Sequence, residues 1–206
     1  MKKNIIFDLG GVLADLHPQR CIDAFRKVGC GALAAYVEQH RTEDLFLDTE
    51  LGRITQAQFC DEVRRLAGTD TTDTDIVWAW NQLVGGTTTG KLRLLDRLKA
   101  SGHRLFLLSN TNVMHWTLCR DSVFTADGKQ AGHYFERIFL SYEMHLAKPD
   151  RAIFDEALRQ AGIDAGDTLF IDDRQDNCSA AQAAGIEAML ETTGSDWTKR
   201  LQQWTD

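Results

Sequence analysis

Polar side chains that could carry chemistry follow three apolar segments of this chain. Asp8 ends the first segment, Ser109 ends the second, and Asp172 and Asp173 follow the third. A buried carboxylate without a compensating charge is costly, so these positions call for a cation. Clustered carboxylates suit the oxygen coordination that Mg²⁺ prefers, and Lys148 offers a further positive charge. A lysine and a metal ion together would let this acidic chain bind a small anionic substrate.

Strand and helix patterns alternate along the segments that must position these side chains. Five short apolar runs predict strands, at "NIIFDL", "GHRLFLLSNTN", "FERIFLS", "DTLFIDD" and "IEAML". Helical patterns lie between them, and we expect Pro149 in the first turn of the helix that ends at Gly162. The alternation predicts an α/β fold, a doubly wound parallel sheet with helices on both faces. Ligands bind such sheets at the carboxyl ends of the strands, where the polar side chains fall.

The stretch from about Pro18 to Gly90 has helical patterns and no strand pattern. Thr55 and Gln58 form a predicted capping box within it. We predict a small helical cap domain, residues 17–90, that closes over the strand ends of a Rossmann-like core domain. The core would then comprise residues 1–16 and 91–206.

Several aromatic residues allow predictions of burial. Trp78 and Trp80 are two residues apart on a helix and cannot share a face, so we expect one in the core and the other partly exposed. We also expect Phe46 in the core. At the C-terminus, a helical stripe predicts packing against the sheet; it consists of Trp197, Leu201 and Trp204.

Composition limits the function classes. The 206 residues carry a net charge of −7 without a cluster of Lys and Arg, which argues against nucleic acid or an anionic membrane as a partner. Five cysteines without CxxC spacing are typical of reduced thiols. The N-terminal apolar run is broken too early, by Asp8, for a signal peptide. We therefore expect a soluble, cytoplasmic protein. The sequence makes no prediction of the oligomeric state.

Four motifs occur together and in order: "FDLGGVL", "LFLLSN", "KPD" and "FIDDRQDN". With them the chain resembles hydrolases of the haloacid dehalogenase superfamily that have a helical cap, in particular their sugar-phosphate phosphatases. The resemblance covers essentially the whole chain. It implies Mg²⁺ as cofactor and hydrolysis of a small phosphorylated metabolite, such as a sugar phosphate or an acyl phosphate.

The resemblance also implies a role for each motif residue. Asp8 would be the nucleophile that becomes an aspartyl phosphate, and Lys148 would neutralise charge on it and on the phosphate. Ser109 would bind the phosphoryl oxygens, and Asn110 is a second candidate for phosphate binding. Mg²⁺ would be held by Asp8, the backbone carbonyl of Gly10, and the pair Asp172 and Asp173. Asp176 would support the metal site or cap the next helix.

Gly10 departs from the family pattern, in which a second aspartate usually serves as general acid and base. Loss of such a group typically slows a reaction by about 10²–10⁴. Three explanations stay open: a good leaving group, a proton donor from the cap, or a protein without turnover. The candidate donors are His17, Glu50 and Arg53.

Two other functions are alternatives to the phosphatase. The first is 2-haloacid dehalogenation, which by the resemblance uses no metal and places tyrosine where this chain has Gly10. The paired Asp172 and Asp173 argue against it. The second is a non-catalytic phosphate-binding module, for which Gly10 is the only support.

Overall fold

The computed structural model describes residues 1–38, 45–125, 128–194 and 196–205. Its centre is a parallel sheet of five strands in the order β3-β2-β1-β4-β5, with β1 in the middle. All five predicted strands are confirmed: β1 (Asn4–Phe7), β2 (Arg104–Ser109), β3 (Arg137–Leu140), β4 (Thr168–Asp172) and β5 (Glu187–Leu190). The central strands β1, β2 and β4 are apolar in their interiors because helices cover both faces of the sheet.

Twelve α-helices lie within the described residues, and the first five fall between β1 and β2 as predicted. Thr55 and Gln58 form the predicted capping box, with both reciprocal hydrogen bonds present. The helices are α1 (Pro18–Lys27), α2 (Gly31–Glu38), α3 (Leu45–Glu50), α4 (Gln56–Ala67), α5 (Asp73–Asn81), α6 (Thr89–Ala100), α7 (Val113–Leu118), α8 (Ala131–Tyr134), α9 (Ser141–Met144), α10 (Arg151–Ala161), α11 (Gln175–Ala183) and α12 (Asp196–Gln202).

The start of α10 differs from the prediction. Pro149 lies outside the helix, which begins at Arg151. Asp150 is the N-cap, and its carboxylate accepts the Ala152 N–H at 2.9 Å. The prediction was wrong because two start signals compete here. Pro149 favours a start at residue 149, but Asp150 can serve as the N-cap and satisfy a free N–H of the helix, so the helix begins after Asp150.

Three hydrophobic clusters hold these elements together. One lies on each face of the sheet, and a third joins α1 to α5 around Phe46 and Trp80. Trp80 is buried and Trp78 is exposed, which confirms the prediction for this pair. Trp197 and Leu201 of α12 are fully buried against the sheet. None of the described helices is long and apolar enough to cross a membrane.

Candidate active site

The strand order brings the predicted polar residues together at one edge of the sheet. Phe7 of β1 is paired with Leu107 of β2 and with Ile171 of β4. The next residue, Asp8, donates its N–H to the Ile171 carbonyl at 2.8 Å. Because β1 lies between β2 and β4, the carboxyl ends of all three strands are adjacent, and their terminal side chains share one site.

Lys148 connects the two buried carboxylates of this site. Its Nζ donates to Asp8 Oδ1 at 2.7 Å, to Asp172 Oδ2 at 2.6 Å and to the Leu108 carbonyl at 3.0 Å, so all three ammonium protons are used. The lysine side chain is only 1% exposed. Burial alone would lower the pKa of Lys148, but the two carboxylates more than offset this and raise it. The lysine is therefore a fixed, charged group.

Burial raises the pKa of two carboxyl groups of the site, those of Asp8 and Asp173. It raises the pKa of Asp8 despite the nearby Lys148 charge, and the carboxylate of Asp172 raises it further. Burial and Asp172 also raise the pKa of Asp173. One lysine thus leaves a surplus of negative charge, which a divalent cation would remove.

The carboxylates themselves are arranged to accept such a cation. Oxygens of Asp8, Asp172 and Asp173 all lie within 4.8 Å of one another. Gly11 permits this approach: it has φ +70°, and a Cβ there would lie 2.3 Å from Asp173 Oδ2. Within the described part of the chain, no donor bonds the Gly10 carbonyl. The donor set of carboxylates and one free carbonyl fits Mg²⁺.

Asp172 is held more firmly than the other two carboxylates. Besides Lys148 at Oδ2, its Oδ1 accepts the Arg174 N–H at 2.9 Å and the Asn177 amide at 3.0 Å. Asp173 is exposed by comparison. The carbonyl oxygen of the Asn177 side chain is buried and has no partner among the described residues. These contacts fix the orientation of Asp172.

Ser109 and Asn110 both line the site but are bonded differently. The Ser109 hydroxyl makes one long contact, 3.4 Å to the next carbonyl, and is otherwise open to the cavity. The Asn110 side chain donates to the Lys148 carbonyl at 2.8 Å and accepts the Lys148 N–H at 2.9 Å. Its amide group is thus used to position the lysine, a role the sequence did not indicate.

A cavity of about 620 Å³ opens over these residues, between the strand ends and the helices that follow β1. Of the three predicted cap candidates, Glu50 lines it. His17 instead approaches Gly85, and Arg53 is exposed and paired with Asp48 at 2.9 Å. The cavity wall also contains Leu16, Pro18, Trp80, Leu83, Val84, Thr111, His115, Arg174 and Asn177.

Two residues of this wall with ionisable side chains, Arg174 and His115, were missed by the sequence analysis. Arg174 directly follows the paired aspartates, and that position was the available signal; its guanidinium pairs with Asp176 at 2.6 Å. Asp176 does not belong to the carboxylate cluster; it lies in the first turn of α11, where its carboxylate also accepts the Asn177 N–H at 2.9 Å. His115 could not have been found, because only packing brings α7 against the buried Trp80 ring, at 4.6 Å between centroids.

The site and the fold define a hydrolase class, and the comparisons agree. The family model for haloacid dehalogenase-like hydrolases matches residues 2–185. The chain belongs to this family.

Individual relatives indicate which reaction within the hydrolase family is relevant. The D-ribitol-5-phosphate phosphatase of Bacteroides thetaiotaomicron is 30% identical over 98% of this chain and 97% of its own. The sesquiterpene phosphatase astK of Aspergillus oryzae is 27% identical over 98% of this chain and 95% of its own. A solved structure of the HAD family enzyme bt-2542 from B. thetaiotaomicron, with magnesium and inorganic phosphate, has a TM-score of 0.91 at 39% identity and covers 97% of this chain and 99% of that one.

This chain is a phosphoric monoester hydrolase that uses Mg²⁺, as predicted from its motifs. The dehalogenase and binding-module alternatives are not supported.

Proposed function

We propose that this protein removes the phosphoryl group from a small phosphorylated polyol or sugar, with Asp8 as the nucleophile. The Lys148 bridge carries the proposal. A buried ammonium group bonded to both Asp8 and Asp172 offsets the charge that otherwise keeps a carboxylate away from a phosphate dianion.

Each residue around Asp8 has a separate role in phosphoryl transfer. Lys148 holds Asp8 by its Oδ1, which leaves Oδ2 to attack phosphorus. The Ser109 hydroxyl is open to the cavity and would donate to a phosphoryl oxygen. Asn110 fixes the backbone of Lys148 from both sides, so the ammonium group stays in place as charge moves from substrate to enzyme.

The metal would be held by Asp8, Asp173 and the Gly10 carbonyl, with Asp172 orienting the cluster. Bound Mg²⁺ supplies positive charge to the phosphoryl oxygens and to the nucleophile. Asp172 is assigned the orienting role because both of its oxygens already accept hydrogen bonds from the protein.

The cavity wall favours a substrate with both hydroxyl groups and carbon surface. Glu50, Asn110 and Arg174 offer polar contacts, whereas Leu16, Trp80 and several other residues are apolar. The named relatives act on ribitol 5-phosphate and on a sesquiterpene phosphate. We place this chain with the former, because the carboxyl of Glu50 and the guanidinium of Arg174 would lose their hydration to a purely hydrocarbon substrate.

We further propose that residues 17–90 form the cap that selects the substrate. The helices α1 to α5 enclose their own hydrophobic cluster, and Glu50 and Trp80 reach the cavity from this side. A cytoplasmic location agrees with five cysteines that are all free and buried.

Phosphate release from ribitol 5-phosphate, sugar phosphates and acetyl phosphate tests the proposal. We expect Mg²⁺-dependent release that EDTA abolishes and that Asp8→Asn abolishes as well. Asp155→Asn is the matched control: this exposed carboxylate on α10 pairs with Arg151 at 3.1 Å, away from the cavity, so the variant should retain full activity. Wild-type protein that binds phosphate but releases none from any substrate would contradict the proposal, as would release of halide without metal.

A further inference from the structure

At residue 10, where the family usually has a second aspartate, the side chain of Leu16 occupies the adjacent space. Gly10 has no side chain, and a Cβ built there would lie 3.1 Å from Leu16 Cδ1 and 3.2 Å from Cδ2. The Leu16 side chain thus covers the space in which an acid at position 10 would begin. A proton for the leaving group must come from another element of the cavity.

Most titratable groups in the cavity wall are already committed. The ammonium protons of Lys148 are all donated, and Arg174 is paired with Asp176. His115 donates from Nε2 to the Trp80 carbonyl at 3.1 Å and accepts at Nδ1 from the Asn112 amide at 3.2 Å. Asp8 and Asp173 are assigned to the nucleophile and the metal. Glu50 is the group that remains in the described wall of the cavity.

Glu50 is held at the cavity by two contacts that directly follow the α3 C-terminus. Gly52 adopts φ +64° and packs against the core so closely that a Cβ there would lie 2.2 Å from the Tyr142 carbonyl oxygen. The adjacent Leu51 carbonyl accepts a hydrogen bond from His145 Nδ1 at 2.8 Å. Together these contacts fix the last turn of α3 to the segment after β3, and Glu50 points its carboxyl into the cavity.

We propose that Glu50 is the general acid and base of this enzyme, in place of the aspartate that Gly10 lacks. The inference rests on the proposed phosphatase function. Among the described residues, the Glu50 carboxyl has no hydrogen-bond or ion-pair partner, so its proton is free to transfer. The side chain is partly exposed overall, which leaves it accessible to substrate and water.

Electrostatics favour this role as well. Burial of the carboxyl raises the pKa of Glu50 to about 7, against the lowering effects of Lys148 and Arg174. A general acid works best with a pKa near the operating pH. Other titratable or charged groups lie across the cavity and on the elements packed against α3: Asp8, His115 and Asp173; Tyr142 and Glu143 of α9 with the adjacent His145; and Asp61, Glu62, Arg64 and Arg65 of α4.

The proton balance closes over two steps. Asp8 Oδ2 bonds to phosphorus as the bond to the substrate oxygen breaks, and that oxygen takes the proton from Glu50. The Glu50 carboxylate then accepts a proton from water as the water oxygen bonds to phosphorus and the Asp8–phosphorus bond breaks. Glu50 ends protonated and Asp8 ionised, as at the start.

Leaving-group dependence tests the inference. Glu50→Gln keeps the shape of the side chain but carries no transferable acid proton. We expect it to lower kcat/KM for ribitol 5-phosphate, a poor alkoxide leaving group, by about 10²–10⁴, because kcat/KM reports the transfer to Asp8. The loss in kcat/KM should be much smaller for p-nitrophenyl phosphate and acetyl phosphate, whose leaving groups need little protonation. Hydrolysis of the aspartyl phosphate is common to all substrates, so kcat should fall for each of them, and the ionisation near pH 7 should disappear from the pH profile of kcat/KM.

Asp48→Asn is the matched control, because Asp48 lies on the same helix but pairs with the exposed Arg53. It should retain the wild-type ratio of rates. An equal loss in kcat/KM for all leaving groups, or no loss, would overturn the role of Glu50 while the phosphatase function stands. A wild-type protein that releases no phosphate from any substrate would instead overturn the proposed function, and this inference with it.

Discussion

Replacing Lys148 with methionine removes the central charge of the site and leaves its volume nearly unchanged. The wild-type ammonium group makes three hydrogen bonds of 2.6–3.0 Å, two of them to buried carboxylates. Removing one partner of a buried ion pair typically costs about 3–5 kcal/mol, because the remaining charge is left uncompensated. In a chain of this size, 1 kcal/mol shifts Tm by about 2–4 °C. We therefore expect Tm to fall by roughly 6–20 °C in EDTA.

Added Mg²⁺ should recover more stability in this variant than in the wild type. Without the lysine, the carboxylates of Asp8, Asp172 and Asp173 attract the divalent ion more strongly, and a ligand that binds only the folded state stabilises it. Phosphate release should nevertheless be lost. Differential scanning fluorimetry across a Mg²⁺ titration measures both effects.

Lys3→Met is the matched control. Lys3 is 78% exposed and its ion pair with Asp167 is 3.5 Å long, so we expect a change within about 0.5 kcal/mol. If Lys148→Met in EDTA has the same Tm as this control, or if Mg²⁺ stabilises variant and wild type equally, the account of the Lys148 bridge is wrong.

Two further predictions concern the proposed cap and its contact with the sheet-containing part of the chain. Gly52→Ala should lower kcat and Tm more than Gly68→Ala. Both glycines have φ +64°, but of the two only Gly52 would bring an added Cβ against a carbonyl oxygen. The difference in Tm and in rate between the two variants therefore measures the contribution of the contact between α3 and the segment after β3. His115→Gln should flatten the acid side of the stability profile. Burial lowers the pKa of His115 from 6.5 to about 4. Between these two pH values the imidazole is protonated in the unfolded chain but not in the folded one. The wild type therefore loses stability as the pH falls from about 6.5 to about 4. Urea unfolding of wild type and variant at several pH values should show a difference of up to about 3 kcal/mol; parallel profiles would contradict this assignment.

Local patterns in the sequence were sufficient for the sheet and for the chemistry at its edge. Strands β2 and β4 end in their polar side chains and Asp8 directly follows β1, and parallel strands necessarily bring their carboxyl ends to one edge. The capping box at Thr55 and the unequal exposure of Trp78 and Trp80 also follow from short-range spacing, although the spacing does not say which of the two is buried. Four of the five helices from α1 to α5 could be recognised for the same reason, whereas the six-residue α3 could not.

Contacts between residues distant in the sequence decided the rest. Asn110 holds the backbone of Lys148, and Leu16 fills the space beside Gly10; neither contact leaves a periodic pattern. Glu50 was indistinguishable from His17 and Arg53 as a proton donor until the docking of Gly52 against the core placed it in the cavity. The sequence by itself therefore determined which groups stand at the strand ends, since backbone geometry repeats locally. The residue of the proposed cap that faces the groups at the strand ends depended on the contact between two separately packed hydrophobic clusters. Only the folded chain defines that contact.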